Sequence, residues 1–348
     1  MSTLETNAIG KYSGNNVSVD DALNLKSYTT AQRDALTSVA GDMIYNSTDN
    51  KVQFHNGSSW QDFAASYVEI NALVVGGGGG NQTDAQGGGG GGAGDFVTDT
   101  FVGELSTNYT FTVGAGGTAG ANGSTSSLNL ISAIGGGKGG KGINFASSAS
   151  QMNGSSGASG GGGGSSNNSV GLSSGGAATG INGNSGGSGA SSGNANNRVG
   201  GGGGGAGAAG SNASGTSAGN GGAGLTNTLI TAAQSATYSV GEVDGSAVYF
   251  SGGGGGGGKI NPSNGGLGGG GGRGQNGTAN TGGGAGGPFS DVANPGDTNG
   301  GSGVIIAKFP DTFTITVGAG LTSSTVSDPP SGYKIEIFTA GTGDVSFS

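Results

Sequence analysis

The sequence predicts a mainly β protein built around a glycine-rich domain of packed polyglycine II helices. A small N-terminal helix plus β-meander precedes that domain, and a C-terminal β module follows it. Three observations lead there. Glycine supplies 89 of 348 residues, against about 7% in ordinary proteins. The glycines fall in runs, at residues 76–80, 87–92, 160–164, 200–205, 252–258 and 268–272, set among short apolar segments. Segments of β-type alternation lie before, within and after this zone. The expected division is residues 1–70, 71–310 and 311–348.

Only 31% of the chain is hydrophobic and 9% charged, where a usual domain carries about 45–50% and about 25%. That supply does not fill two conventional cores. Disorder normally accompanies high net charge or abundant proline, yet the net charge is −9 and prolines number six. Such a chain must aggregate or order its backbone through hydrogen bonds, and order is the expectation. The absence of cysteine excludes disulfides and thiolate metal sites. No stretch reaches the ~18 apolar residues of a membrane helix, so no membrane insertion is expected. Residues 1–10 carry neither the basic nor the apolar part of a secretory signal. An extracellular role would then need another route, such as assembly into a particle released by lysis. Eleven Lys and Arg against twenty Asp and Glu argue against nucleic acid as a partner.

The elements follow in order. Thr30-Ala31-Gln32-Arg33-Asp34-Ala35-Leu36 reads as a short helix, with Thr29 or Thr30 as N-cap and Gly41 to stop it. Residues 42–55 read as a hairpin around the turn Asn46-Ser47-Thr48-Asp49-Asn50. Val52 and Phe54 alternate there with Lys51, Gln53 and His55. Asn56-Gly57 turns the chain again, and Trp60 and Phe63 return a third strand. This meander is too small to be stable alone, so oligomerisation or packing on a neighbour should complete it.

In the glycine zone, Leu73-Val74-Val75 leads into the first run, and Ala247-Val248-Tyr249-Phe250 into a later one. Gly180, Gly183, Gly186 and Gly189 form a triplet patch, but a collagen helix needs that period over a long span with abundant proline. Polyglycine can instead adopt a left-handed helix of three residues per turn, which makes no internal hydrogen bonds. Its amides must pair with neighbours or water. Without Cβ, such helices approach until N–H meets C=O on the adjacent chain. Residues 95–102 and 109–113 alternate like a hairpin. Residues 303–309 form a strand that should lie beside Leu73-Val74-Val75 and close the domain at its base. Finally, residues 313–317 and 333–338, separated by Pro329-Pro330, and the ending 341–347 form the last β module.

Nothing points to catalysis or a cofactor. His55 is the single histidine and has no oriented nucleophile near it. Gly91-Gly92-Ala93-Gly94-Asp95 approaches a calcium-binding nonapeptide repeat, but its Asp falls one place early and the pattern does not recur. Gly-Lys pairs at 137–138, 140–141 and 258–259 lack the Ser or Thr of a phosphate loop. Glu104, Asp244 and Asp291 show no spacing that would pair them as glycosidase carboxylates. Phe145 and Phe289, with Arg198 and Arg273, are the candidate receptor-binding residues. The bland alternative is that they cap the ends of the helical bundle.

Thr30 to Leu36, then Gly41-Asp42-Met43-Ile44-Tyr45-Asn46, Asn50-Lys51-Val52-Gln53 and Asn56-Gly57-Ser58-Ser59-Trp60 resemble a module of tail-fibre and other structural proteins of tailed bacteriophages. Leu73-Val74-Val75-Gly76-Gly77-Gly78 and Gly301-Ser302-Gly303-Val304-Ile305-Ile306 resemble the glycine-rich domain of phage fibres. They are also similar to the adhesins at the tips of long tail fibres in T4-like phages. The resemblance implies packed polyglycine helices, distal loops that bind a host receptor, and a non-enzymatic role on the virion as tail fibre or head or neck appendage. It implies partners of three kinds: other virion proteins through residues 1–70, which attach or trimerise; a host cell-surface glycan or outer-membrane protein; and further copies in a homotrimer. A purely structural fibre or decoration protein is the alternative, and an ice-binding protein a second, although no regular threonine rows favour it.

Overall fold

The computed structural model describes residues 24–63, 67–81, 87–146, 148–166, 172–191, 198–289, 298–327 and 329–348. The chain forms two compact units, Met1–Ser66 and Tyr67–Ser348. The first boundary thus falls a few residues before the expected 70.

In the first unit, strand β1 (Ser27–Tyr28) precedes helix α1 (Thr30–Asp34), and β2 (Met43–Asn46), β3 (Lys51–His55) and β4 (Trp60–Asp62) follow. The sheet order is β1-β2-β3-β4. Thr29 caps α1: its hydroxyl accepts the Gln32 N–H at 3.3 Å, and the Gln32 side chain accepts the Thr29 N–H at 2.9 Å. This reciprocal pair is a capping box. The helix is shorter than expected and gives out at Ala35, well before Gly41. Ile44 is the buried apolar residue here; beside it lie Asn46 and Gln53, both buried and polar. They satisfy one another, because the Asn46 amide donates to Gln53 Oε1 at 3.0 Å. The same oxygen accepts from Arg33 at 2.9 Å.

The second unit is organised by a nine-stranded, nearly closed sheet. Its strands are β5 (Tyr67–Val75), β6 (Phe96–Glu104), β7 (Tyr109–Val113), β8 (Ser126–Leu128), β9 (Ile131–Ala133), then, after a separate three-stranded sheet of β10 (Leu225–Asn227), β11 (Glu242–Asp244) and β12 (Ala247–Phe250), β13 (Val304–Pro310), β14 (Ile315–Val317), β15 (Leu321–Thr325) and β16 (Tyr333–Phe347). The order is β6-β5-β13-β16-β7-β8-β9, with β14 and β15 also pairing β16. The two edges meet at one end, where the Asp95 N–H donates to the Ile134 carbonyl at 2.9 Å. Val304, Ile305 and Ile306 lie opposite Val75, Val74 and Leu73, as expected. Alternation splits these runs between two cores. Val68, Ile70, Val74, Ile305, Phe111 and Phe338 fill one face. Leu73, Val75, Val304 and Ile306 pack on the other against Val240, Val248 and Phe250 of the β10–β12 layer. Burial on both faces explains why these strands read as continuous apolar runs.

The glycine segments continue from the sheet. Residues 88–95 show their geometry. The amides of Gly88, Gly91 and Gly94 donate to Pro288, Ala285 and Gly282; those of Gly89, Gly92 and Asp95 to Gly140, Gly137 and Ile134; those of Gly90 and Ala93 to Gly201 and Gly204. Their carbonyls accept in the same rhythm: Gly91 and Gly88 from Gly254 and Gly257, Gly90 and Ala93 from Gly162 and Ser159, Gly92 and Asp95 from Gly79 and Gly76. Each neighbour is met every third residue, so the helix has three residues per turn, and six segments surround it. Residues 88–95 have no positive φ and bond only to other segments, which matches the left-handed polyglycine II helix and not the internally bonded 3-10 helix. Of the six neighbours, only 201–204 runs parallel. An added Cβ at Gly89, Gly90, Gly91 or Gly92 would strike the carbonyl of Gly162, Gly254, Gly79 or Ser159. This packing therefore requires glycine.

Several expectations are corrected. Residues 311–348 are no separate module: β16 lies between β13 and β7 and bends at Gly341, whose φ is +95°. Segments 95–102 and 109–113 do not pair as a hairpin. β6 takes β5 as its partner, and β7 lies between β16 and β8; what joins them is an edge-on contact of Phe101 and Tyr109, with centroids 4.7 Å apart. The run 268–272 is not a uniform helix. Gly268 and Gly269 have φ of +103° and +86°, and their amides both donate to the Glu242 carboxylate at 2.7 Å. Helix α2 (Ala232–Tyr238) was not anticipated, although Thr231 and Gln234 carry the capping-box spacing that marks its start.

Candidate functional site at the far end of the polyglycine bundle

Strands β5, β7, β9 and β12 end, and β6, β8, β10 and β13 begin, where they pass into glycine segments. The segments extend from the sheet and turn at the opposite end of the bundle. All four candidate residues lie at that far end. The Arg198 guanidinium donates to Asn144 Oδ1 at 2.6 Å, next to Phe145. The following residue, Val199, bridges Ala190 and Gly258. Arg273 donates to the Gly258 carbonyl at 2.6 Å. Phe289 follows Pro288, whose carbonyl accepts the Gly88 N–H at 3.3 Å.

Their exposures separate them. Phe145 is 79% exposed, whereas Phe289 is 2% and Arg198 1% exposed. In this state Phe289 and Arg198 present no contact surface, which corrects their reading as receptor-binding residues. Phe289 packs inside. Burial lowers the Arg198 pKa from its ordinary value. Arg273 ties the 258–259 turn to the bundle through the carbonyls of Gly258 and Lys259. Two residues not singled out from the sequence join Phe145 as large exposed apolar side chains of this end: Leu172, at 68%, and Ile260, at 53%. Each lies within two residues of a bridged residue, Ser173 with Gly189 and Gly258 with Val199. An apolar residue inside a polar loop is the signal that could have found them.

At this end, side chains stand in for missing glycine contacts. Ser165 Oγ donates to the Gly87 carbonyl at 3.0 Å, Ser173 Oγ to Gly164 at 2.5 Å and Thr298 Oγ1 to Gly286 at 2.7 Å. Asn81 donates to the Gly89 carbonyl. Short hydroxyl and amide side chains thus cap the carbonyls left over where helices end. Among the described residues no group of three or more His, Asp or Glu is arranged to hold a metal ion. His55, in the first unit, accepts the Gly57 N–H on Nδ1 at 3.2 Å and meets the Trp60 ring edge-on at 5.3 Å.

A mainly β scaffold that carries a bundle of polyglycine helices defines a glycine-rich structural class. The family described as Glycine-rich domain matches residues 55–310, and the chain belongs to it. No curated protein and no solved structure matches the chain.

Proposed function

We propose that this chain is a non-enzymatic bacteriophage fibre protein that attaches the virion to its host through the far end of the polyglycine bundle. The observation that carries the reading is the exposure of Phe145, Leu172 and Ile260 at the end of a backbone-bonded bundle. Rigid display of apolar residues lowers the ordering cost of binding. The partner is a host surface glycan or an outer-membrane protein. The first unit attaches to other virion proteins or assembles copies into a trimer. Its exposed Val39, Met43 and Phe63, with Ile44 the one buried apolar residue among the described residues of the unit, are consistent with a face that another chain covers.

The test has two arms. Electron microscopy of particles labelled with antibody against residues 76–303 should place the chain on a fibre or appendage. Purified protein should then coat cells from a panel of bacterial strains, and the triple change Phe145→Ser, Leu172→Ser, Ile260→Ser should reduce coating at least tenfold with unchanged thermal unfolding. Labelled particles whose host is never coated would favour a purely structural fibre.

A further inference from the structure

A second site lies away from the far end, on the outer face of β5 and β6. That face is apolar where the β10–β12 layer covers it, at Leu73, Val75 and Phe96. One step along the strands it becomes polar and the cover stops. The result is a groove of about 580 Å³, with Asn71, Thr98 and Thr100 as floor and Thr226, Asn227, Thr228 and Leu229 as wall. Its volume falls within the roughly 300–1,000 Å³ of small-molecule sites.

The hydrogen-bonding groups are only partly used. Thr100 Oγ1 donates to Asn71 Oδ1 at 3.2 Å, which fixes the Asn71 side chain and leaves its amide N–H₂ unassigned. Asn227 Oδ1 accepts the Leu229 N–H at 2.7 Å, so its N–H₂ is likewise open. The hydroxyls of Thr98, Thr226 and Thr228 can each donate and accept. The groove therefore offers amide donors and amphoteric hydroxyls within one cleft, over the apolar edges of Phe96 and Leu229. No lysine or arginine lines it, so it has nothing to neutralise an anionic ligand.

We propose that this groove binds a neutral sugar unit of an oligosaccharide. A pyranose presents hydroxyls, each both donor and acceptor, around a ring whose C–H faces are apolar. The Asn71 and Asn227 amides donate to hydroxyls, the threonine hydroxyls accept from and donate to others, and the C–H face lies towards Leu229. Fixed polar partners reward a ligand that matches them and penalise one that leaves them unpaired. This site does not depend on the far end acting as an attachment surface.

The test is a printed array of neutral, sialylated and sulfated oligosaccharides probed with the full chain. Neutral glycans should be retained. Thr98→Trp and Thr226→Trp, both at exposed positions, should each lower that signal at least tenfold by filling the groove. Asn71→Ala, which adds no bulk, should lower it severalfold. Phe145→Ser at the far end should leave it unchanged. No retained neutral glycan, retention confined to acidic glycans, or equal retention by all three groove variants overturns the proposal. Loss of cell coating in the far-end triple variant leaves this proposal standing, so the two readings fail separately.

Discussion

At the scale of single residues, polar side chains do work that apolar ones do in ordinary proteins. Asp95 is buried, yet its carboxylate accepts the N–H groups of Phe96, Ile181 and Asn182 at 3.0, 2.9 and 3.0 Å, which compensates its desolvation. Glu336 is buried likewise and accepts from Ser323 and Thr325 at 2.5 and 2.7 Å. In the first unit Asp62 receives the Gln53 amide and the Lys51 ammonium, each at 2.6 Å. The Gln53 bond first, and Lys51 second, hold the Asp62 carboxyl below its usual range. A carboxyl with a depressed folded-state pKa contributes stability above its unfolded value, roughly 3.9, and loses it as pH falls through the folded value. Trp60 is the only tryptophan and lies in the same sheet, so its fluorescence reports this unit. We predict that Asp62→Asn destabilises the unit at pH 7 and that the difference from wild type shrinks as pH falls below about 3.9. A difference that stays constant through that range would remove Asp62 from the acid response. Candidate residues were only half legible at this scale. Phe145 is exposed and Phe289 buried, although both are phenylalanines in glycine-rich loops; side-chain type carries no information on which end-turn faces inward.

At the scale of elements, edges are managed by side chains. β6 is an edge strand, and Asp95 Oδ1, Asp99 Oδ1 and Tyr109 Oη accept the N–H groups of Phe96, Thr100 and Glu104 at 3.0, 2.8 and 2.7 Å. These occupy every second outward amide and oppose pairing with another chain. The polyglycine helices are the contrary case, in which backbone meets backbone directly. A Cβ at Gly203 would collide with the Gly91 carbonyl, inside the segment that six others surround. We predict that Gly203→Ala costs about 1–3 kcal/mol for the overpacked methyl, and about 1–3 kcal/mol more for each buried amide it strands. Gly215 has φ +58° and open space about its Cα, so Gly215→Asn, a residue that tolerates the left-handed region, should stay within about 1 kcal/mol. Equal thermal transitions for the two variants would reduce the run at 200–205 to a linker. The juxtaposition of Leu73-Val74-Val75 with Val304-Ile305-Ile306 was legible because both are apolar runs at the edges of one compositional zone. The placement of β16 between β13 and β7 was not, since alternation states that a strand has two faces and not which strands flank it. The same limit is sharper for polyglycine. With no side chain to mark a partner, the sequence specifies that a run packs, and the sheet to which its ends are tied selects its neighbours.

At the scale of the whole molecule, the second unit inverts the usual division of labour between core and hydrogen bonds. Most of its buried apolar residues are gathered in and against the sheet, and beyond the sheet the interior is mostly backbone, with a few buried side chains such as Met152, Val199 and Phe289. Glycine loses more conformational freedom on folding than any other residue, and a polyglycine helix has no internal bonds to offset that loss. No single segment is therefore stable by itself; each becomes stable when several neighbours are in place. Residues 88–95 draw partners from segments near 76–79, 134–140, 159–162, 201–204, 254–257 and 282–288, which span most of the unit. Opening this helix requires displacing chain from end to end of the domain. The consequence is a hierarchy of hydrogen exchange. Amides that open only with the whole structure exchange at the global unfolding free energy, whereas locally opened ones exchange faster. We predict that the amides of Gly89, Gly90, Gly91 and Gly92 are as well protected as those of β5 and β13, although the segment has the composition of a flexible tether. The amides of the exposed Ser214–Ser217 turn should exchange orders of magnitude faster. The measurement is native-state hydrogen exchange by mass spectrometry on the full chain, with peptides covering residues 87–96 and 67–75. Equal protection in the two peptides, lost together in denaturant, is the expected result. If the 87–96 peptide exchanges as fast as the 214–217 turn, the bundle is not a cooperative part of the fold, and a rigid display of Phe145, Leu172 and Ile260 loses its physical basis.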